Sequence, residues 1–227
     1  MDPASLKKLK RKTYLLFPLS FIGLTGMLML LAGTLNYWQG WIWCAVVFAF
    51  AFFVTLYFLK KSPEFLERRM MFKEKEQEQK TIIKISNLFF SIGFILSVLD
   101  YRFGWSVVPT WLVLIADAVT IAGYIIIFLA FKENAFAGRT IETFKGQKVI
   151  DTGPYALVRH PMYSGIIPLF LVMPLALGSF WGLIPFAFVL LIIILRILNE
   201  EKVLKRDLPG YEDYCKKVRY RLVPLVW

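Results

Sequence analysis

From Pro161 to Asn199 the chain runs for 39 residues with Arg196 as its one charged side chain. About 20 apolar residues cross a bilayer, so this stretch is too long for one span. Gly178-Ser179 lies near its middle, and that pairing is turn chemistry. The run therefore predicts two antiparallel helices, 161–177 and 181–199. Pro168, Pro174 and Pro185 are expected to kink them, which lipid tolerates only where neighbours satisfy the freed backbone groups.

Four earlier apolar runs, 14–35, 42–59, 85–99 and 107–131, are separated by polar segments. The chain is 58% apolar, above the 45–50% or so of a soluble domain. The expectation is an all-α, polytopic helical membrane protein with about six crossings, the last two a C-terminal hairpin. A membrane barrel is excluded, because its strands would alternate polar and apolar residues. The first run follows a basic segment but lacks a small-residue cleavage site, so it reads as a retained span.

Net charge is +11, and its placement decides its meaning. The N-terminus, the 60–84 loop, the 132–160 loop and the segment from Arg196 onward hold 26 of the 27 lysines and arginines. With six crossings these segments all fall on one side, and Arg102 alone falls on the other. By the positive-inside rule that side is cytoplasmic, and both termini lie there. No arginine-rich module or stacking motif accompanies the charge, so nucleic acid is excluded as a partner. Cys44 lies in an apolar run and Cys215 in the tail, so neither a disulfide nor a metal site is expected.

The chain divides into 1–131, four spans with a charged cytosolic loop at 60–84, and 132–227. Within the loop, 63–80 reads as a surface helix that either holds the loop at the interface or touches substrate. Asp117, in the middle of span 4, is either a functional group or a buried lock between helices. Residues 132–160 are polar, broken by glycines and Pro154, and too long for a plain turn.

The chemistry gathers at the open end of the hairpin. His160, the single histidine, follows Arg159 and precedes Pro161. A hairpin brings this pair beside Arg196, Glu200 and Glu201. Arg196 and Glu200 are four apart and share a helical face, while Glu201 points about a quarter turn away. Such a cluster is either an ion-pair belt capping the hairpin or a site.

The ordered motifs Gly153-Pro154-Tyr155, Arg159-His160-Pro161-Met162-Tyr163-Ser164-Gly165, Glu200-Glu201 and Tyr211-x-x-Tyr214 … Arg219-Tyr220-Arg221-Leu222-Val223-Pro224 resemble the membrane methyltransferases. These are the isoprenylcysteine carboxyl methyltransferases and phospholipid N-methyltransferases, and the resemblance covers about 132–227. It implies S-adenosylmethionine as donor, S-adenosylhomocysteine as product, and a cytosolic pocket built by loop, hairpin ends and tail. It implies cofactor contacts from His160, Pro161, Met162 and Tyr163, from Tyr155, and from Gln147, Lys148, Val149 and Ile150. Arg196 is implied near the acceptor and Glu200 on the cofactor, with Glu201 as the second acid of a Glu-Glu pair. His160 or Arg159 would hold the donor's carboxylate, so Arg196, His160 and Arg159 are the candidate catalytic residues. The acceptor is expected to be a lipophilic or lipid-modified molecule, an isoprenylcysteine-like carboxylate favoured over a lipid amine. It would enter from the bilayer lipids between hairpin and span 4.

Two alternatives stand beside this. Membrane sterol reductases end in a similar hairpin and tail and, as a family, bind NADPH there. A non-catalytic scaffold or transporter would keep the fold without the chemistry.

Overall fold

A computed structural model describes residues 3–70, 74, 76–134, 136 and 147–227, and these are all helix, turn and loop. The helices are α1 (Pro3–Ala32), α2 (Trp38–Lys61), α3 (Pro63–Arg69), α4 (Gln77–Phe103), α5 (Thr110–Glu133), α6 (Pro161–Ala176), α7 (Leu183–Asp207) and α8 (Tyr211–Lys217). A single 3-10 turn, Gly153–Ala156, precedes α6. Five of these, α1, α2, α4, α5 and α7, are long and apolar enough to cross a membrane. The sixth, α6, has 16 residues, about 24 Å at 1.5 Å per residue. The protein is a polytopic helical membrane protein, and the short first arm of its hairpin is its departure from six full spans.

Three local expectations need correction. The 63–80 surface helix is broken: α3 stops at Arg69 and α4 starts at Gln77. Pro185 does not kink the second arm. It lies in the first turn of α7, where backbone N–H groups have no intrahelical acceptor to lose. The basic N-terminal segment, finally, is the beginning of α1 rather than a separate stretch.

One end of the bundle is tied by Asp100. Its carboxylate, fully buried, accepts from Ser106 N at 2.7 Å, Ser106 Oγ at 2.6 Å and Ser179 Oγ at 2.5 Å. The end of α4, the turn into α5 and the α6–α7 turn are thereby joined. Gly178 takes φ +78° in that last turn, the left-handed region that favours glycine. Tyr37, also buried, donates to Leu177 O at 2.5 Å and brings in the start of α2.

Close packing of α5 on α6 sets the shape of the other end. Gly123 and Gly165 face each other so tightly that a Cβ on Gly165 would lie 2.5 Å from Gly123 O. The small-residue contact lets the two backbones touch. Meanwhile α3 is held by Phe65, 1% exposed, against Phe58 and Phe131 at ring distances of 4.2 and 5.3 Å.

Candidate functional site

Proline at the first position of α6 fixes where the helix begins, and His160 before it is held out of helical geometry at φ −125° and ψ 61°. That geometry frees the 159–160 backbone to pair with the tail. Arg159 N donates to Tyr220 O and His160 N to Arg221 O, each at 2.9 Å. Ser164 Oγ donates to Leu222 O at 2.7 Å. The hairpin's start and the chain's last segment are thus laced together.

Glu201 is the node behind this lacing. It is 4% exposed. Its Oε1 accepts from Arg159 Nε at 2.7 Å and lies 3.2 Å from His160 Nε2, while Oε2 accepts from Arg221 Nε at 3.0 Å. Arg159 spends Nη1 on the carbonyls of Val218 and Arg219, at 3.0 and 2.9 Å. The guanidinium of Arg159 therefore turns to the tail. Buried charges require this kind of pairing and hydrogen bonding together.

Arg196 and Glu200, on the shared face of α7, meet one phenol instead. Tyr163 Oη donates to Glu200 Oε2 at 2.8 Å and accepts from Arg196 Nε at 2.8 Å.

In front of these groups lies a cavity of about 810 Å³ including its mouth. Its walls bring together Gln147, Lys148, Val149, Ile150, Tyr155, Arg159, His160, Pro161, Met162, Tyr163 and Glu200. Glu201, expected beside Glu200, is instead behind the wall. Leu204 of α7 and Leu208 just past its end also line it, four and eight residues after Glu200, as do Tyr211 and Tyr214 of α8. The helical period starting from Glu200 was the sequence signal for the two leucines. Tyr214 Oη donates to Tyr155 O at 2.7 Å. Tyr211 is 4% exposed, and its hydroxyl has no partner among the described residues. Burial pushes the Tyr155 phenol up to about 12 and raises those of Tyr211 and Tyr214 as well, so all three remain neutral donors at physiological pH.

A second, mainly apolar groove lies between α4, α6 and α7. Ile82 and Ile83, Ile166 and Phe170, and Ile192 and Ile193 form its sides, and Ser86, Asn87, Arg69 and Arg196 supply polar groups. It shares Met162, Tyr163 and Glu200 with the first cavity. The expected opening between hairpin and span 4 is closed by the Gly123–Gly165 contact. The groove opens on α4, the third span, because α4 and α6 do not approach as closely.

Arg69 was hidden in the sequence among the eight basic residues of the 60–84 loop. The docking of α3 brings it here, with Cζ 4.5 Å above the Phe131 ring and Nη1 3.9 Å from Met162 Sδ. Asp117 is buried in α5, lines neither space, and both its carboxylate oxygens lack partners among the described residues. Arg139, Glu142 and Lys145 of the polar segment lie outside the described residues.

The donor set fits the implied cofactor. An open carboxylate at Glu200, an orphaned buried hydroxyl at Tyr211 and the apolar faces of Leu204 and Leu208 suit an ammonium, a hydrogen-bond acceptor and a purine ring.

Comparison with known proteins bears out the resemblance. Residues 111–208 match the family model described as phospholipid methyltransferase. The match takes in α5 and stops before α8, so it begins earlier and ends earlier than the 132–227 expected. A stretch of 92 residues is 32% identical to Delta(14)-sterol reductase TM7SF2 of Mus musculus, over 39% of this chain and 22% of the reductase. The chain therefore spans about a fifth of that relative's length.

Proposed function

We propose, from the match of residues 111–208 to the phospholipid methyltransferase family model, that the protein is a membrane methyltransferase using S-adenosylmethionine on a lipophilic acceptor. The observation that carries this is the junction of a polar cavity with an apolar groove across Met162, Tyr163 and Glu200. A water-borne donor and a bilayer-borne acceptor need two such spaces sharing one thin wall.

When bound, S-adenosylmethionine supplies a methyl group on a positively charged sulfur. Glu200 offers its carboxylate to the donor's ammonium, and Tyr211 a hydroxyl. His160 and Arg159 serve as wall and tail clasp, since Glu201 occupies both. On the groove side, Arg196 and Arg69 orient an anionic head while the isoleucines take the apolar chain. Methyl transfer is an in-line displacement, so alignment is the main demand on these residues. A carboxylate acceptor is already ionised and needs no base. An amine acceptor would pass its proton to Glu200, the carboxylate on the shared wall. Sidedness follows the charge distribution, with the cavity on the cytoplasmic face.

The likeness to a sterol reductase supports a second reading, an NADPH-dependent membrane enzyme. Thermal unfolding in detergent separates the two. Stabilisation by S-adenosylhomocysteine and not by NADPH is expected; the reverse overturns the methyltransferase reading. Transfer of labelled methyl to N-acetyl-S-farnesylcysteine, set against phosphatidylethanolamine, then identifies the acceptor as carboxylate or amine.

A further inference from the structure

A third space, sharing Ile82 with the second groove, opens on the outer side of α7. It is a groove of about 1340 Å³ with its open volume, running between the start of α4 and the last turns of α7. Its wall on α7 is ordered by depth. Leu195, Leu198, Lys202 and Lys205 follow at steps of three, four and three residues, so they form one stripe along the helix. Leu195 and Leu198 are exposed at 56% and 37%, as lipid-facing side chains are. Lys202 and Lys205 lie one and two turns further on, exposed, and have no hydrogen bond or ion pair among the described residues. Across the groove Ile82 continues the apolar level, and Thr81 and Gln77 the polar one. Arg221 of the tail closes the polar end.

Two acids also line this space, and both are engaged. Glu78 accepts from Asn199 Nδ2. Glu201 is neutralised from behind by Arg159 and at its near side by Arg221. The polar end thus presents two uncommitted ammonium groups and a partly exposed guanidinium, directly above an apolar slot that faces lipid. Long cationic side chains at such a boundary bury their stems and lift their charges to the phosphate level.

We propose that this groove binds an anionic phospholipid, with its phosphate on Lys202, Lys205 and Arg221 and one acyl chain along Leu195, Leu198 and Ile82. A soluble anion would use only the upper half. A zwitterionic lipid would gain less from the lysines, because its own cation offsets the phosphate. Each juxtamembrane lysine is worth about a five-fold gain in binding an anionic surface.

The test titrates the purified full chain, in neutral detergent, with dioleoylphosphatidylglycerol, dioleoylphosphatidylcholine or inorganic phosphate. Bound lipid is counted by native mass spectrometry, and stability is followed by thermal unfolding. The expected result is retention and stabilisation by phosphatidylglycerol alone. The double variant K202Q/K205Q should weaken it about 25-fold, and K202R/K205R should restore it. The pair K8Q/K12Q, on α1 and outside this groove, should leave it unchanged. Equal retention of both lipids would overturn the proposal. So would equal stabilisation by inorganic phosphate, or an equal loss from the α1 pair, which would mean diffuse surface charge. Should K202Q/K205Q fail to fold, the single variants K202Q and K205Q decide, each expected to weaken retention of phosphatidylglycerol about five-fold; unchanged retention in both overturns the proposal. No methyl transfer is read, so the outcome is independent of the proposed activity.

Discussion

Glu200 and Glu201 are neighbours in sequence, but Glu200 lines the cavity while Glu201 is paired behind it, and a pair of substitutions separates the two. Glu201→Gln keeps the shape of the side chain and removes its charge. Arg159, 8% exposed, then loses the counter-ion at 2.7 Å. Removing one partner of a buried ion pair costs about 3–5 kcal/mol. Arg159 keeps its bonds to the Val218 and Arg219 carbonyls, and the side chain of Arg221 is 28% exposed and can rehydrate. Both facts favour the lower bound, about 3 kcal/mol. For a chain of this length each kcal/mol moves the midpoint about 2–4 °C, so a fall of about 6–12 °C is expected. Glu200→Gln, half-buried and coupled to the half-buried Arg196 through the Tyr163 phenol, should move it by less than about 3 °C. Titration calorimetry with S-adenosylhomocysteine should give the opposite order. Loss of a charge-assisted bond to the ligand's ammonium, about 1.5–3 kcal/mol, lowers the affinity of Glu200→Gln about 10- to 100-fold. Glu201→Gln, measured well below its midpoint, should stay within about three-fold of the parent. A Glu201→Gln protein that melts with the parent and has lost the ligand would refute the reasoning, because Glu201 would then be a ligand contact. Arg221→Gln, which disturbs only the exposed half of the node, tests the same point at about 1 kcal/mol if the first variant is too unstable to purify.

Other expectations are checked the same way. Asp100→Asn should lower the midpoint by about 5–10 °C, since three donors lose a charged acceptor, and should leave S-adenosylhomocysteine affinity intact because it acts at the opposite end of the bundle. Gly165→Leu should abolish folded protein in a size-exclusion assay, as a side chain there drives α6 off α5 at Gly123. Arg69→Ala should raise the KM for N-acetyl-S-farnesylcysteine about ten-fold with little change in cofactor affinity, while Arg196→Ala, which also releases Tyr163, should mainly lower kcat. An Arg69→Ala enzyme with unchanged KM would remove α3 from the acceptor side.

What the sequence made legible was what local chemistry dictates. The 161–199 stretch, charged only at Arg196, had to be divided, and Gly178 with positive φ marks the division. Once the hairpin is drawn, residues near 160 and near 200 must meet, and they do. The limits were tertiary. Whether Glu200 or Glu201 faces the cavity depends on the rotation of α7 about its own axis, a difference of about 100° between neighbours. Arg69 joins Met162 across 93 residues because Phe65 lodges between Phe58 and Phe131, and no periodicity announces that docking. Pro185 misled because a proline in a first turn and a proline in a kink look alike until the helix start is known.

The arrangement around Tyr163 explains why a polar site can stand at the edge of lipid at all. Its phenol receives from a cation and donates to an anion, so Arg196 and Glu200 offset each other's burial without forming one closed pair. Arg196 lines the groove, and Glu200 lines both spaces. A direct Arg196–Glu200 bridge would have consumed both groups and stabilised an empty site. In a medium less polar than water, charges held this way act more strongly on what they touch. The four-residue spacing on α7 and the tyrosine on α6 together make that possible. Moving the acid one residue on, to the Glu201 position, would have handed it to the tail.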